Sequence, residues 1–174
     1  MKILVVIDMQ NDFTYGALKN DDAIGIIPAI EDKILSFDGE VIYTRDTHTE
    51  DYLETQEGRK LPVKHCIIGS EGWEIVKPLE ELRQKKNAKT IDKPTFGSLE
   101  LADYVLNLYN EGNVEEIEFI GVCTDICVIS NAMLVKNTIP ELTVKVDASC
   151  CAGVSKESHE TALKAMAACQ IEIV

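Results

Sequence analysis

Short runs of aliphatic and β-branched residues alternate with segments of helical period along the whole chain, and this alternation limits the possible folds more than any other feature. "KILVVID" (2–8), "EVIYTRD" (40–46), "KTIDK" (89–93), "EIEFIGV" (116–122), "ELTVKVDA" (141–148) and "IEIV" (171–174) read as strands. Several are apolar enough to be covered on both faces. Helical spacing runs through 22–36, 76–86, 97–111, 125–138 and 156–169, and in 97–111 it puts Leu99, Ala102, Leu106 and Tyr109 on one side. Gly97-Ser98 and Ser155 to Ser158 supply helix starts. Strand, helix, strand repeated is the pattern of right-handed crossovers in a parallel sheet with helices on both faces. The expected class is therefore α/β, and 174 residues suit one domain over 1–174.

Composition narrows the function. With 45% hydrophobic and 27% charged residues and no long apolar run, neither disorder nor membrane insertion is expected. Asp and Glu outnumber Lys and Arg by 30 to 17, a net charge of −13, and the basic residues form no stripe. Such a surface repels nucleic acid and anionic membranes, so neither is an expected partner. An Asp at position 8 and the lack of a small-residue cleavage site make "MKILVVIDMQ" a strand rather than a signal peptide, which implies the cytoplasm. Six cysteines (Cys66, Cys123, Cys127, Cys150, Cys151, Cys169) lack the spacing of a secreted disulfide scaffold, and most read as small buried hydrophobes.

Residues 47–88 form a long polar segment with a single short helical pattern, and loops of that size in compact domains usually carry function. Ligands of open α/β sheets gather beyond the carboxyl ends of the strands. The strand ends here deliver Asp8, Asp46, His48, Lys93, Cys123 and Cys127 to one edge. Cys127 falls in the first turn of the helix starting near Thr124 or Asp125, where the helix dipole favours a thiolate. Asp8 could take a thiol proton, Lys93 could hold charge, and the "GVCT" backbone could offer amides to an oxyanion. The Cys123–Cys127 spacing also admits two packed thiols, a metal clip or a disulfide, although it matches neither a redox C-x-x-C nor a zinc ribbon. Asp46-x-His48, with Glu54, Glu57 and His65 downstream, offers hard and borderline ligands for a metal, or else an ordinary polar loop. His159 reads as a solvated helix residue.

Taken together, "VVIDMQNDF", "TRDTH", "LPVKHCIIGSEG", "DKPTFGS" and "GVCTDICV" resemble the isochorismatase-like cysteine hydrolases, and more closely their nicotinamidase branch. The resemblance implies a three-layer α/β/α, Rossmann-like fold with a six-stranded parallel sheet. It further implies a catalytic triad of Asp8, Lys93 and Cys127, a cis peptide between Val122 and Cys123, and an oxyanion site from the backbone of Val122, Cys123 and Cys127. Nicotinamidases hold zinc, iron or manganese through residues matching Asp46, His48 and His65, and Glu57 or Glu54 could add a ligand. Zinc is the metal expected. The metal binds a pyridine nitrogen, and Phe13 and Cys123 would line the substrate site. The implied reaction is hydrolysis of nicotinamide to nicotinate and ammonia through a Cys127 thioester, a step in pyridine nucleotide and NAD salvage. The chain departs from the pattern at Leu61, where an aromatic is usual, and in the spacing from Pro62 to His65. Those departures keep open a metal-independent hydrolase acting on another small amide, a ureido compound or isochorismate, and a non-catalytic binding protein is the remaining alternative. A homo-oligomer is expected at the level of the fold.

Overall fold

The computed structural model describes residues 1–174. Its strands are β1 (Lys2–Ile7), β2 (Glu40–Asp46), β3 (Lys89–Lys93), β4 (Glu116–Val122), β5 (Thr143–Ala152) and β6 (Glu172–Ile173). They form one six-stranded parallel sheet in the order β3-β2-β1-β4-β5-β6. Helices are α1 (Asn11–Thr14), α2 (Asp21–Gly25), α3 (Ile27–Ser36), α4 (Gln56–Lys60), α5 (Lys77–Lys85), α6 (Leu99–Asn110), α7 (Ile129–Thr138) and α8 (Lys156–Ala168).

Side chains of β1 alternate between the two faces of the sheet, which gives the molecule its three layers. Ile3, Val5 and Ile7 pack with Leu101 and Val105 of α6, Ala132 and Val135 of α7, and Met166 of α8. Leu4 and Val6 pack on the opposite face with Ile30 and Ile34 of α3 and Leu79 of α5. All five β1 residues are fully buried, so this strand reads as a continuous apolar run. Each such side chain contributes about 1.5–3 kcal/mol over an exposed one. No helix is long and apolar enough to cross a membrane.

The structure redraws four expected elements. The helix expected over 22–36 divides at Ile26, because Pro28 opens α3 and cannot continue the hydrogen-bond ladder of α2. In α6 the buried stripe is Leu101, Ala102 and Val105, while Leu99 is 72% exposed. The reason is local: Ser98 caps this helix by accepting from the Leu101 amide, and Leu99 is its first, outward residue. β5 continues to Ala152 after a register shift against β4 between Phe119 and Gly121. β6 shortens to two residues.

The chain leaves β1 for β2 on one side and β4 for β5 on the other, so the strand order reverses between β1 and β4. That reversal opens a crevice beyond their carboxyl ends. Gly121 lies there at φ +110, and a side chain on it would collide with the Ile7 backbone. The next peptide, Val122–Cys123, is cis.

Candidate active site

Asp8 follows β1 at φ +50, a strained conformation for any residue but glycine. Thr44 of β2 holds it there. The Thr44 hydroxyl donates to Asp8 Oδ1 at 2.6 Å, and the Asp8 amide donates back to Thr44 at 3.3 Å. Lys93, the last residue of β3, sets its Nζ 2.6 Å from Asp8 Oδ2 and 3.4 Å from Cys127 Sγ. It also donates to the Thr95 carbonyl at 3.2 Å. Carboxylate, ammonium and sulfur therefore meet at the crevice, each from a different strand end.

Burial raises the Asp8 carboxyl above the usual carboxylate range, against the pull of the Lys93 charge. The Lys93 ammonium is disfavoured by burial, yet Asp8, Cys127 and Asp46 together hold its pKa above the ordinary lysine value. Burial, and then Asp8, push the Cys127 thiol well above its ordinary value. The helix end expected to favour a thiolate is thus opposed by burial and by Asp8, both of which favour the thiol. A helix end offers about 0.3–1 kcal/mol to a nearby charge, too little to offset desolvation beside a carboxylate. The turn over Thr124–Val128 is also π-type, and the Ile126 and Val128 amides are both bonded to the Cys123 carbonyl at 3.0 Å. The Cys123 amide, by contrast, has no acceptor within the protein.

Asp46 links this cluster to a second one. Its Oδ1 is 3.5 Å from Lys93 Nζ, and its Oδ2 is 3.0 Å from His48 Nε2 and 3.4 Å from His65 Nε2. Burial alone would raise the Asp46 carboxyl, but His48, His65 and Lys93 outweigh it and hold the group below the ordinary range. The ligand atoms of Asp46, His48 and His65 all lie within 4.8 Å of one another, and the three residues are buried. His65 Nδ1 donates to the Val63 carbonyl at 2.8 Å, which leaves Nε2 free to bind a cation. Two imidazoles and a carboxylate suit a borderline divalent metal, so these residues fit one. Glu57 Oε1 stands 3.7 Å from His48 Nε2 and 3.9 Å from His65 Nε2. Glu54, the other acid named from the sequence, is exposed on the turn Tyr52–Glu54 and makes no ion pair with either histidine.

A pocket of about 670 Å³ exposes both clusters, with Asp46, His65 and Cys127 in its lining. Phe13, Val122, Cys123 and Leu61 form walls, as does Phe96 of the "DKPTFGS" loop.

A family model for the isochorismatase domain matches residues 2–174. The chain belongs to the isochorismatase family. Among proteins of this family, it is 28% identical to a nicotinamidase/pyrazinamidase from Mycobacterium tuberculosis, over 100% of this chain and 98% of the relative. A pyrazinamidase/nicotinamidase structure from Streptococcus mutans superposes with TM-score 0.85 at 28% identity, covering 100% of both chains. A pyrazinamidase from Pyrococcus horikoshii, solved in complex with zinc, gives TM-score 0.82 at 29% identity, with 99% and 98% coverage.

Like these relatives, this family member is an α/β protein built on a parallel sheet, and several of its supporting residues carry no motif-level signal. Gln10 is fully buried and clamps the Asp46 backbone from both sides, accepting from its amide at 2.7 Å and donating to its carbonyl at 2.8 Å. Asn131 donates to the carbonyls of Cys127 and Phe96 and accepts from the Ser98 amide. Tyr52 packs its ring 4.6 Å from that of His48 and 4.9 Å from that of His65, while its hydroxyl donates to the Leu61 carbonyl. Only tertiary contact reveals them, although a buried amide or phenol in a ligand-bearing loop is the signal to look for. His159 is a further correction. It is half-buried and shares a 2.8 Å hydrogen bond with Thr124.

Proposed function

We propose that this isochorismatase-family hydrolase is a nicotinamidase, converting nicotinamide to nicotinate and ammonia. One observation carries the reading: Asp46 touches Lys93 with one oxygen and both histidines with the other, so a nucleophile cluster and a metal-ligand cluster share one pocket. Chemistry and ring recognition can therefore act on one small molecule. The zinc-bound relative supports zinc as the cation that Asp46, His48 and His65 would hold, with Glu57 beside them. When bound, the cation supplies a Lewis-acid partner for a pyridine nitrogen.

Asp8 removes the Cys127 proton as substrate arrives, and the sulfur attacks the carboxamide carbon. A base whose pKa is raised toward the working pH does this better than an ordinary aspartate. The unpartnered Cys123 amide, with backbone from Val122 and Cys127, receives the developing oxyanion. Lys93 holds the negative charge that passes between Asp8 and the sulfur. Asp8 then returns its proton to the departing ammonia, and water cleaves the thioester to regenerate the thiol. Phe13, in the pocket wall with its ring 5.8 Å from that of His65, would face the substrate ring. Six unpaired cysteines suit a reducing compartment, the cytoplasm, where the product would enter nucleotide salvage.

The test is ammonia and nicotinate formation from nicotinamide by purified, metal-loaded protein, with C127A as the control. Turnover in wild type and none in C127A is the expected result. A metal-loaded wild type without turnover overturns the substrate assignment. A second reading, hydrolysis of another small amide, ureido compound or isochorismate, has Leu61 in its favour, since an aliphatic residue lines the wall where the resemblance leads one to expect an aromatic.

A further inference from the structure

The turn that carries Cys127 is fixed from outside the pocket by α8. Thr124 opens this turn and is completely buried. Its hydroxyl and His159 Nδ1 share a 2.8 Å hydrogen bond across the gap between the turn and α8. The next residue, Asp125, accepts from the Val154 amide through Oδ1 at 3.0 Å. Gly153 lies between them. A Cβ on it would meet His159 Cβ at 2.9 Å and Asp125 Oδ1 at 3.0 Å, so the close approach of α8 depends on a glycine. The Gly153 carbonyl also accepts from Asn20 Nδ2 at 2.9 Å, and Asn20 belongs to the pocket lining.

We infer that His159, acting through Thr124, is a positioning residue for the nucleophile turn and sets the alignment of Cys127 with Asp8 and Lys93. The inference rests on Cys127 being the nucleophile. His159 is absent from the pocket lining, so its effect passes through the turn. The sulfur has little tolerance for movement. Lys93 Nζ is already 3.4 Å away, and a displacement near 1 Å in a reacting group lowers rates by up to about 10²-fold. On the other side of the same turn, Asn131 fixes the Cys127 carbonyl at 2.8 Å. Loss of the His159 bond frees the Thr124 end of the turn and leaves it held by Asn131 and by the Asp125–Val154 bond.

Three variants read this arrangement. H159F keeps ring bulk and removes the bond, H159N keeps a polar atom near the position of Nδ1, and T124V removes the bond from its other end. The readouts are kcat and KM for ammonia release, thermal midpoint, and the rate at which iodoacetamide alkylates the Cys127 peptide, followed by mass spectrometry. H159F and T124V are expected to lose about 10- to 100-fold in kcat and to slow Cys127 alkylation, with KM and midpoint close to wild type. H159N is expected to recover most of both rates. The double variant should lose no more than either single one, because each removes the same bond. Wild-type kcat and alkylation in H159F overturn the inference, and so does an equal loss in H159N and H159F. Where H159F does not fold, wild-type rates in T124V overturn it. Alkylation needs no amide substrate, so failure of the nicotinamide assignment leaves this result readable.

Discussion

Lys93 Nζ lies 2.6 Å from Asp8 Oδ2, and neither side chain has any solvent exposure. Such a pair is secure only while complete, because removing one partner from a buried ion pair costs about 3–5 kcal/mol. K93M is therefore expected to unfold at lower urea with an unchanged m-value, and to lose ammonia release with it. Urea titration beside the activity assay checks both. Wild-type stability in K93M would mean that Asp8 is neutral in the folded protein.

Asp8 is also where the pH dependence should arise. Its carboxyl titrates above the usual carboxylate range because it is buried. A base must be unprotonated to act, so kcat/KM should fall as pH drops through that raised value, giving an acid limb above about pH 4. Cys127 and Lys93 are both shifted upward, away from the acid side, so the acid limb is expected from Asp8. D8N is expected to lose about 10²–10⁴-fold in kcat and to lose the acid limb as well. A pH profile of kcat/KM for both proteins decides, and an unchanged limb in D8N would assign it to another group.

Metal removal should separate binding from chemistry. Dialysis against a chelator is expected to abolish nicotinamide turnover, and one equivalent of divalent zinc should restore it. H48A and H65A should bind less metal by elemental analysis. E57Q should weaken metal affinity by about 10- to 100-fold, as loss of groups beside a metal site does, whereas E54Q should match wild type. Equal metal content in E57Q and E54Q would remove Glu57 from the site.

Much of this site was legible in the sequence because strand ends are legible. A run such as "KILVVID" fixes where β1 stops and so where Asp8 emerges, and "KTIDK" does the same for Lys93. Parallel pairing then brings those ends together without further information. What the sequence hid depends on long-range contact. The Cys127 thiol pKa follows from burial and from Asp8, 119 residues earlier in the chain, rather than from its own helix. Glu57 and Glu54 are equivalent by composition, but the first turn of α4 turns Glu57 toward the histidines and leaves Glu54 in solvent. His159 lay outside every motif and is tied to the active turn only through tertiary packing.

A last prediction concerns stability away from the pocket. Lys33 of α3 reaches across the sheet face to Asp147 Oδ2 at 2.8 Å, and also pairs with Glu118. Burial would raise the Asp147 carboxyl, but its bonds with Lys33 and Ser149 outweigh that and hold it below its ordinary value of 3.8. An acid with a lowered folded pKa contributes stability that is complete above the unfolded value and vanishes as pH falls through the folded one. D147N should therefore be about 1–2 kcal/mol less stable than wild type at neutral pH, a discounted figure for a partly hydrated pair. The difference should shrink as pH falls below the ordinary carboxylate value and close once wild-type Asp147 is itself protonated in the folded state. Urea unfolding of both proteins across that range measures it. A gap that persists at the acid end would show that the D147N amide disturbs packing rather than charge, since protonation would already have removed the charge from the wild type.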